Sequence, residues 1–251
     1  MFSILLEGSW LPGEVVMTEA PSGRRIVDEV ERSIETAWQA AAKPGVQLFD
    51  GPMCRLESFD AAPGRLQLRY SPSSYRINVG TNLSRGAALA AQFGDDVLAN
   101  PLGASVALTT ADGYLLLGRR GGRVAYYPHR VHPFAGSVEP AEADDAFAIV
   151  YRELGEELNL PRERVQNVRC LGLARDDAIR QPELIFTATT SLTRAEVAGM
   201  LDAAEHDALW PLRAGNRDDV ARAIADPLLT PIAMATLTMW RNATAARPAG
   251  S

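Results

Sequence analysis

Three glutamates and an arginine in one short run, Arg152-Glu153-Leu154-Gly155-Glu156-Glu157-Leu158, carry the strongest chemical signal in this chain. On a helix, at about 100° per residue, Glu153, Glu156 and Glu157 fall within one arc of roughly 100°. Phe147, Val150, Tyr151, Leu154 and Leu158 form a neighbouring apolar stripe. A solvated acidic face is the simplest account, but the position opposes it. Glu156 and Glu157 stand in the last turn before a stop at Asn159 and Pro161, where the helix dipole disfavours negative charge by roughly 0.3–1 kcal/mol each. Like charges at i,i+3 and i,i+4 add about a few tenths more, and only Arg152 offsets this locally. A hard divalent cation reverses the balance, because magnesium binds through a few carboxylates, keeps several waters and leaves positions for substrate phosphates. The expected ligands are Glu153, Glu156 and Glu157, and the expected ion is Mg²⁺, with Mn²⁺ as the alternative.

The stretch resembles a Nudix box, whose pattern is Gly, five residues, Glu, seven residues, then Arg-Glu-apolar-X-Glu-Glu-X-Gly-apolar. Gly136 and Glu142 have the required spacing, and Arg152 to Leu158 match. Nine residues, 143 to 151, separate Glu142 from Arg152 where the pattern has seven, and Asn159 takes the second glycine position. Asn tolerates the left-handed conformation common after a helix end. The two extra residues rotate Glu142 by about 200° from the glutamates if the helix starts early, or they are absorbed as a bulged entry loop. The resemblance implies an α/β (α+β) fold, a Nudix α/β/α sandwich with a mixed sheet, preceded by a smaller α+β region. It implies metal-dependent hydrolysis of a nucleoside diphosphate derivative, with the Gly136 carbonyl as a further metal ligand and Arg152 orienting Glu156.

The elements that must hold these residues are legible from periodicity and punctuation. Residues 2 to 6 and 14 to 18 read as strands broken by Leu11-Pro12-Gly13. Arg24 to Ala42 is an amphipathic helix closed by Pro44-Gly45. Met53 to Ser58 and Arg65 to Tyr70 are strands around Ala62-Pro63-Gly64. Ser74 to Asn82 is polar and reads as a loop into a helix of Ala87 to Leu98. Asn100 to Gly103 marks a seam, which predicts an N-terminal region of 1–100, a catalytic domain of 101–243 and a disordered tail of 244–251. Ser105 to Thr109 and Tyr114 to Gly118 flank Ala111-Asp112-Gly113, a hairpin signal.

After the box, Val165 to Ala174 and Glu183 to Thr190 read as strands, with Asp176-Asp177 in the turn. Thr193 to Ala204 is a helix opened by a Thr193/Glu196 capping box. Glu205 to Leu212 reads as a further strand whose acids are late candidates for metal or base roles. Val220 to Ile224 and Ile232 to Trp240 are closing helices.

Composition bounds the partners. A net charge of −6 gives no electrostatic footprint for nucleic acid or an anionic membrane. No apolar run approaches the ~18 residues of a membrane span, and the N-terminus lacks a basic n-region. Cys54 and Cys170 form no CxxC pair. A cytoplasmic protein follows as the expectation; oligomeric state is not readable. His129-x-x-His132 lacks a third zinc ligand nearby.

Outside the box, Tyr75-Arg76, Gly80-Thr81-Asn82, Asp96 to Gly103 and Pro133 to Pro140 resemble the UDP-glucose/UDP-galactose pyrophosphatase branch of the Nudix superfamily. That resemblance implies a nucleoside diphosphate sugar as substrate and release of UMP and a sugar 1-phosphate. The expected substrate contacts are Tyr75, stacking on uracil, and Arg76, Arg120 and Arg123, meeting phosphate. A Nudix pyrophosphatase for ADP-ribose or a dinucleotide and a noncatalytic nucleotide-binding module are the alternatives.

Overall fold

The computed structural model describes residues 1–42, 48–124 and 126–245. In chain order its strands are β1 Phe2–Trp10, β2 Val15–Glu19, β3 Pro52–Ala62, β4 Arg65–Ser74, β5 Gly103–Thr109, β6 Tyr114–Arg120, β7 Val131–His132, β8 Phe134–Ser137, β9 Val165–Asp176, β10 Gln181–Thr190 and β11 His206–Arg213. The α-helices are α1 Asp28–Ala41, α2 Tyr75–Asn78, α3 Ser84–Phe93, α4 Ala148–Leu158, α5 Arg194–Ala198, α6 Arg217–Ile224 and α7 Pro231–Ala245.

Alternation along the central strands sorts the core onto two faces of one mixed sheet. Its path is β1-β9-β10-β5-β6-β11, with β7 on β6 and β8 on β5; only the β10–β5 pairing is parallel. Val106, Leu108, Leu116, Leu184 and Phe186 pack with Ile149, Val150 and Leu154 of α4. Their neighbours Ala107, Leu115, Leu117 and Ile185 point the other way and pack with Ile232, Ala235 and Trp240 of α7. Helix, sheet and helix thus form the three layers expected. A second sheet, β2-β4-β3, adds Cys54, Leu56, Leu66 and Leu68 to the core on the α4 side. Strand β1, although within the first hundred residues, pairs with β9 in the large sheet. Cys54 and Cys170 are buried and unbonded. No helix among the described residues is long and apolar enough to cross a membrane.

β5 and β6 pair only at Leu108–Leu116 and Thr109–Leu115. Beyond these pairs β8 takes the place beside β5, and β7 the place beside β6. Gly136 is thereby set in a short strand, hydrogen-bonded into the sheet and facing α4.

Several expectations need correction. The polar stretch read as a loop is helical: α2 runs into a π-helical turn, Val79–Leu83, and then α3. Its polar groups are spent on tertiary contacts. Thr81 Oγ1 donates to Ile77 O at 2.7 Å and accepts Ala99 N–H at 3.1 Å, while Asn82 Nδ2 donates to Ile179 O at 2.9 Å. The helix expected to reach Ala204 ends at Ala198, because Gly199 caps it and Asp202 N–H bonds to Glu157 O instead. Asp176 is the buried last residue of β9 rather than a turn residue; Asp177 is in the turn. Thr244 and Ala245, placed in the tail, extend α7. The rest of the tail, 246–251, and the Pro44-Gly45 stop lie outside the described residues.

Candidate active site

The entry to α4 shows how the two extra residues are accommodated. A 3-10 turn at Pro140–Glu142 and a loop precede the helix, which begins only at Ala148. The added length is a bulged entry, and Glu142 is carried back to the helix. Arg152 grips it in a fork, donating from Nε to Oε1 at 2.6 Å and from Nη2 to Oε2 at 3.1 Å. The same Nη2 donates to Ser137 O at 3.1 Å, and Nη1 donates to Glu156 Oε2 at 3.3 Å. Arg152 therefore contacts Glu156, and holds Glu142 by two shorter bonds. Asn159 ends the helix with φ 49°, the left-handed conformation its position requires.

The glutamate trio is divided. Glu153 and Glu157, one turn apart, are 5% and 4% exposed, whereas the Glu156 side chain is 61% exposed. Glu153 lies against β8 so closely that a Cβ at Gly136 would overlap its carboxylate. Its Oε1 is 2.5 Å from Arg152 Nη1, but this contact lacks hydrogen-bond geometry, and Oε1 is a buried oxygen without a hydrogen-bond partner among the described residues. Burial pushes the Glu153 carboxyl up to about 8; Arg152 opposes this, and Glu157 and Glu156 add to it. Glu157 accepts Ala135 N–H on Oε1 at 3.3 Å, and its Oε2 is 3.0 Å from His206 Nε2. Burial first, then Glu205, raises Glu157 well above the usual carboxylate range. Burial and Arg120 lower His206 to about 4. Burial thus works against the charged form of both partners of the 3.0 Å Glu157–His206 contact.

Among the described residues, no three His, Cys, Asp or Glu side chains converge as they stand on a single ion position. The donor set nevertheless suits a hard divalent cation. Two desolvated carboxylates stand one turn apart, Glu153 against a glycine that leaves it room and Glu157 on the neighbouring Ala135 N–H, and a third lies on the next arc beside Arg152. Oxygen donors of this kind are what magnesium and manganese take.

The substrate contacts expected from sequence separate into two places. Arg120 ends β6 buried, 5% exposed; its Nε has no hydrogen-bond partner among the described residues, and its guanidinium carbon is 4.6 Å from the Tyr126 ring centroid. Its charge acts on both Glu157 and His206. Arg123 is exposed in the following loop. Tyr75 and Arg76 are engaged with α1, Tyr75 edge-on to Trp38 with centroids 6.3 Å apart and Arg76 paired with Glu35. Of the late candidates, Asp207 pairs with Arg119 at 2.8 Å. His132 turns toward Thr230, with Nδ1 2.7 Å from Oγ1.

Two buried groups escaped the sequence reading. His206 had no partner visible in the sequence, and Glu183, 2% exposed and accepting the Ser105 hydroxyl, was hidden inside an apolar strand pattern.

Comparison with known proteins adds an independent line. The chain is 32% identical over 222 residues to the human uridine diphosphate glucose pyrophosphatase NUDT22, covering 76% of this chain and 73% of that one. It is 29% identical over 204 residues to the bovine protein of the same name, covering 69% and 70%. No family model matches the chain. Among solved structures, a MutT protein from Methanosarcina mazei aligns with a TM-score of 0.41 at 13% identity, covering 57% of this chain and 94% of that one.

Proposed function

The chain belongs to the Nudix hydrolase family and is a pyrophosphatase, and from that premise we propose that it splits UDP-glucose or UDP-galactose into UMP and a sugar 1-phosphate. The reaction adds water across the P–O–P link: the water oxygen ends on one phosphorus, the bridging oxygen stays with the other, and the water's protons pass to acceptor groups and solvent. The observation that carries this reading is the buried pair Glu153 and Glu157 beside Gly136, with the cation of Arg120 close by. Desolvated carboxylates and an unspent guanidinium suit a diphosphate and a hydrolytic water.

Magnesium or manganese, held by Glu153, Glu156, Glu157 and the Gly136 carbonyl, would neutralise diphosphate charge and lower the pKa of a bound water. The chain's own residues supply the rest. Arg120 takes charge that grows on phosphate oxygens, in a buried setting where such a contact is worth more than in water. Arg123, exposed on the following loop, is a second phosphate contact. Arg152 holds Glu156 and Glu142 in fixed orientations. The Glu153 and Glu157 carboxylates are the candidates to accept the water's proton, their raised affinity for protons matching that role. The region of residues 1–100 contributes to substrate selection.

The supporting relatives bear the name of a uridine diphosphate glucose pyrophosphatase. The test is a panel of UDP-glucose, UDP-galactose, ADP-ribose and a dinucleotide with Mg²⁺, run beside Glu157→Gln. UMP from the UDP-hexoses and near-total loss in the variant are expected. Turnover of only ADP-ribose or the dinucleotide would reassign the substrate, and turnover of none would make the protein a binding module.

A further inference from the structure

His206 reaches Glu157 through an irregularity in its strand. Leu209 packs on the α4 side of the sheet while Trp210 and Leu212 pack on the α7 side. Strict alternation would send His206 to the α7 side. A bulge intervenes, with His206 opposite Arg120 and Ala208 opposite Arg119, so Asp207 is the extra residue. One added residue moves every side chain beyond it to the other face. The imidazole is thereby aimed at the last turn of α4.

Its surroundings fix it there. Across the ladder stands Gly118, where a Cβ would collide with the ring. On another side Phe134 meets it edge-on, with centroids 5.6 Å apart and planes at 84°. His206 is 0% exposed, and its Nδ1 is buried without a hydrogen-bond partner among the described residues. A neutral imidazole carries one N–H. An ionised carboxylate only accepts, so toward Glu157 Oε2, 3.0 Å away, the ring donates from Nε2. Ala135 N–H holds the other oxygen of the same carboxylate.

We propose that His206 is a positioning residue, its Nε2–H donating to Glu157 Oε2 and, with Ala135 N–H, fixing that carboxylate in the orientation in which it meets a divalent cation. The assignment rests on Glu157 being a cation ligand, as set out above. Three features of this chain are built around it: a bulge that turns the histidine inward, a glycine that admits the ring, and a phenylalanine edge that holds it. Removing a partner that orients a metal ligand costs roughly 10- to 100-fold in metal affinity or activity.

The experiment compares His206→Leu, which removes the donor, with His206→Gln, whose amide can donate from nearly the same place. Mn²⁺ binding is read by electron paramagnetic resonance without substrate, and kcat and KM are read with UDP-glucose. His206→Leu is expected to weaken Mn²⁺ binding about 10- to 100-fold and to lower kcat with KM changed less than about 3-fold; His206→Gln recovers both to within about 5-fold. Wild-type Mn²⁺ binding in a folded His206→Leu, or a folded His206→Gln no better than His206→Leu, overturns the proposal. If His206→Leu does not fold, His206→Gln decides alone: Mn²⁺ binding within about 5-fold of wild type supports the role, and a larger loss refutes it. A wild-type protein that binds Mn²⁺ but leaves UDP-glucose intact defeats the substrate reading only, and the Mn²⁺ titrations still decide His206.

Discussion

Arg152 and Glu142 meet in two parallel hydrogen bonds, at 2.6 and 3.1 Å, across ten residues of sequence. The fork ties the bulged entry to the middle of α4, so the same guanidinium that holds Glu156 also closes the loop preceding the helix. Arginine is required for this, since a lysine ammonium keeps the charge but cannot form the planar pair. Arg152→Lys is expected to lower kcat by roughly 10- to 100-fold. Tm should fall by only about 2–8 °C, as for a loss of ~1–2 kcal/mol in a domain of this size. Steady-state kinetics beside a thermal melt checks the pair of effects; unchanged kcat would remove Arg152 from the positioning role.

Gly136 is constrained by space rather than by its backbone angles. Glu153 occupies the volume a side chain would need, so Gly136→Ala must push the carboxylate away from β8 or shift the strand. The predicted result is a loss of kcat of at least about 100-fold, on the scale expected for misplacing a reacting or ligand group by ~1 Å. Circular dichroism should remain that of a folded protein. Near-native kcat would show that Glu153 is not needed where it stands.

The box could be read before the fold because its chemistry lies in local spacing, and so could the Ala111-Asp112-Gly113 hairpin and the Thr193/Glu196 cap, both of which the structure contains. What stayed hidden was set by tertiary contact. Thr81 and Asn82 look like loop residues until Ala99, Asn100 and Ile179 are brought to them. His206 is on the α4 side only because of a bulge, which leaves no periodic trace. The outward turn of Glu156 could not follow from helical arcs, because Arg152 and the solvent decide it.

The Thr81–Asn82 contacts also predict a stability effect distant from the box. Asn82 Nδ2 bonds to Ile179 O and Arg180 O, and its Oδ1 accepts Asn100 N–H. Asn82→Ala leaves these buried or partly buried backbone groups without partners, at a cost of about 2–3 kcal/mol. Urea unfolding should register that loss. No change in the midpoint would mean that the contacts are replaced by water at no cost.

Glu183 gives a pH dependence whose sign can be worked out. Burial raises its carboxyl to about 7 in the folded protein, against the pull of the Ser105 hydroxyl, while in the unfolded chain it titrates near the ordinary value of about 4.3. Below about pH 4 both states hold the proton and the group is neutral to stability. As pH rises from there toward about 7, the unfolded chain releases its proton while the folded one keeps it, so stability falls; above about 7 both are ionised and the loss levels off at ~3–4 kcal/mol. Glu183→Gln abolishes this loss while keeping an acceptor for Ser105. The variant's unfolding free energy, relative to wild type, should therefore rise by ~2–3 kcal/mol between about pH 5 and pH 8. Denaturant titrations at the two pH values measure the difference directly, and a constant gap would mean that the Glu183 carboxyl ionises as readily in the fold as outside it.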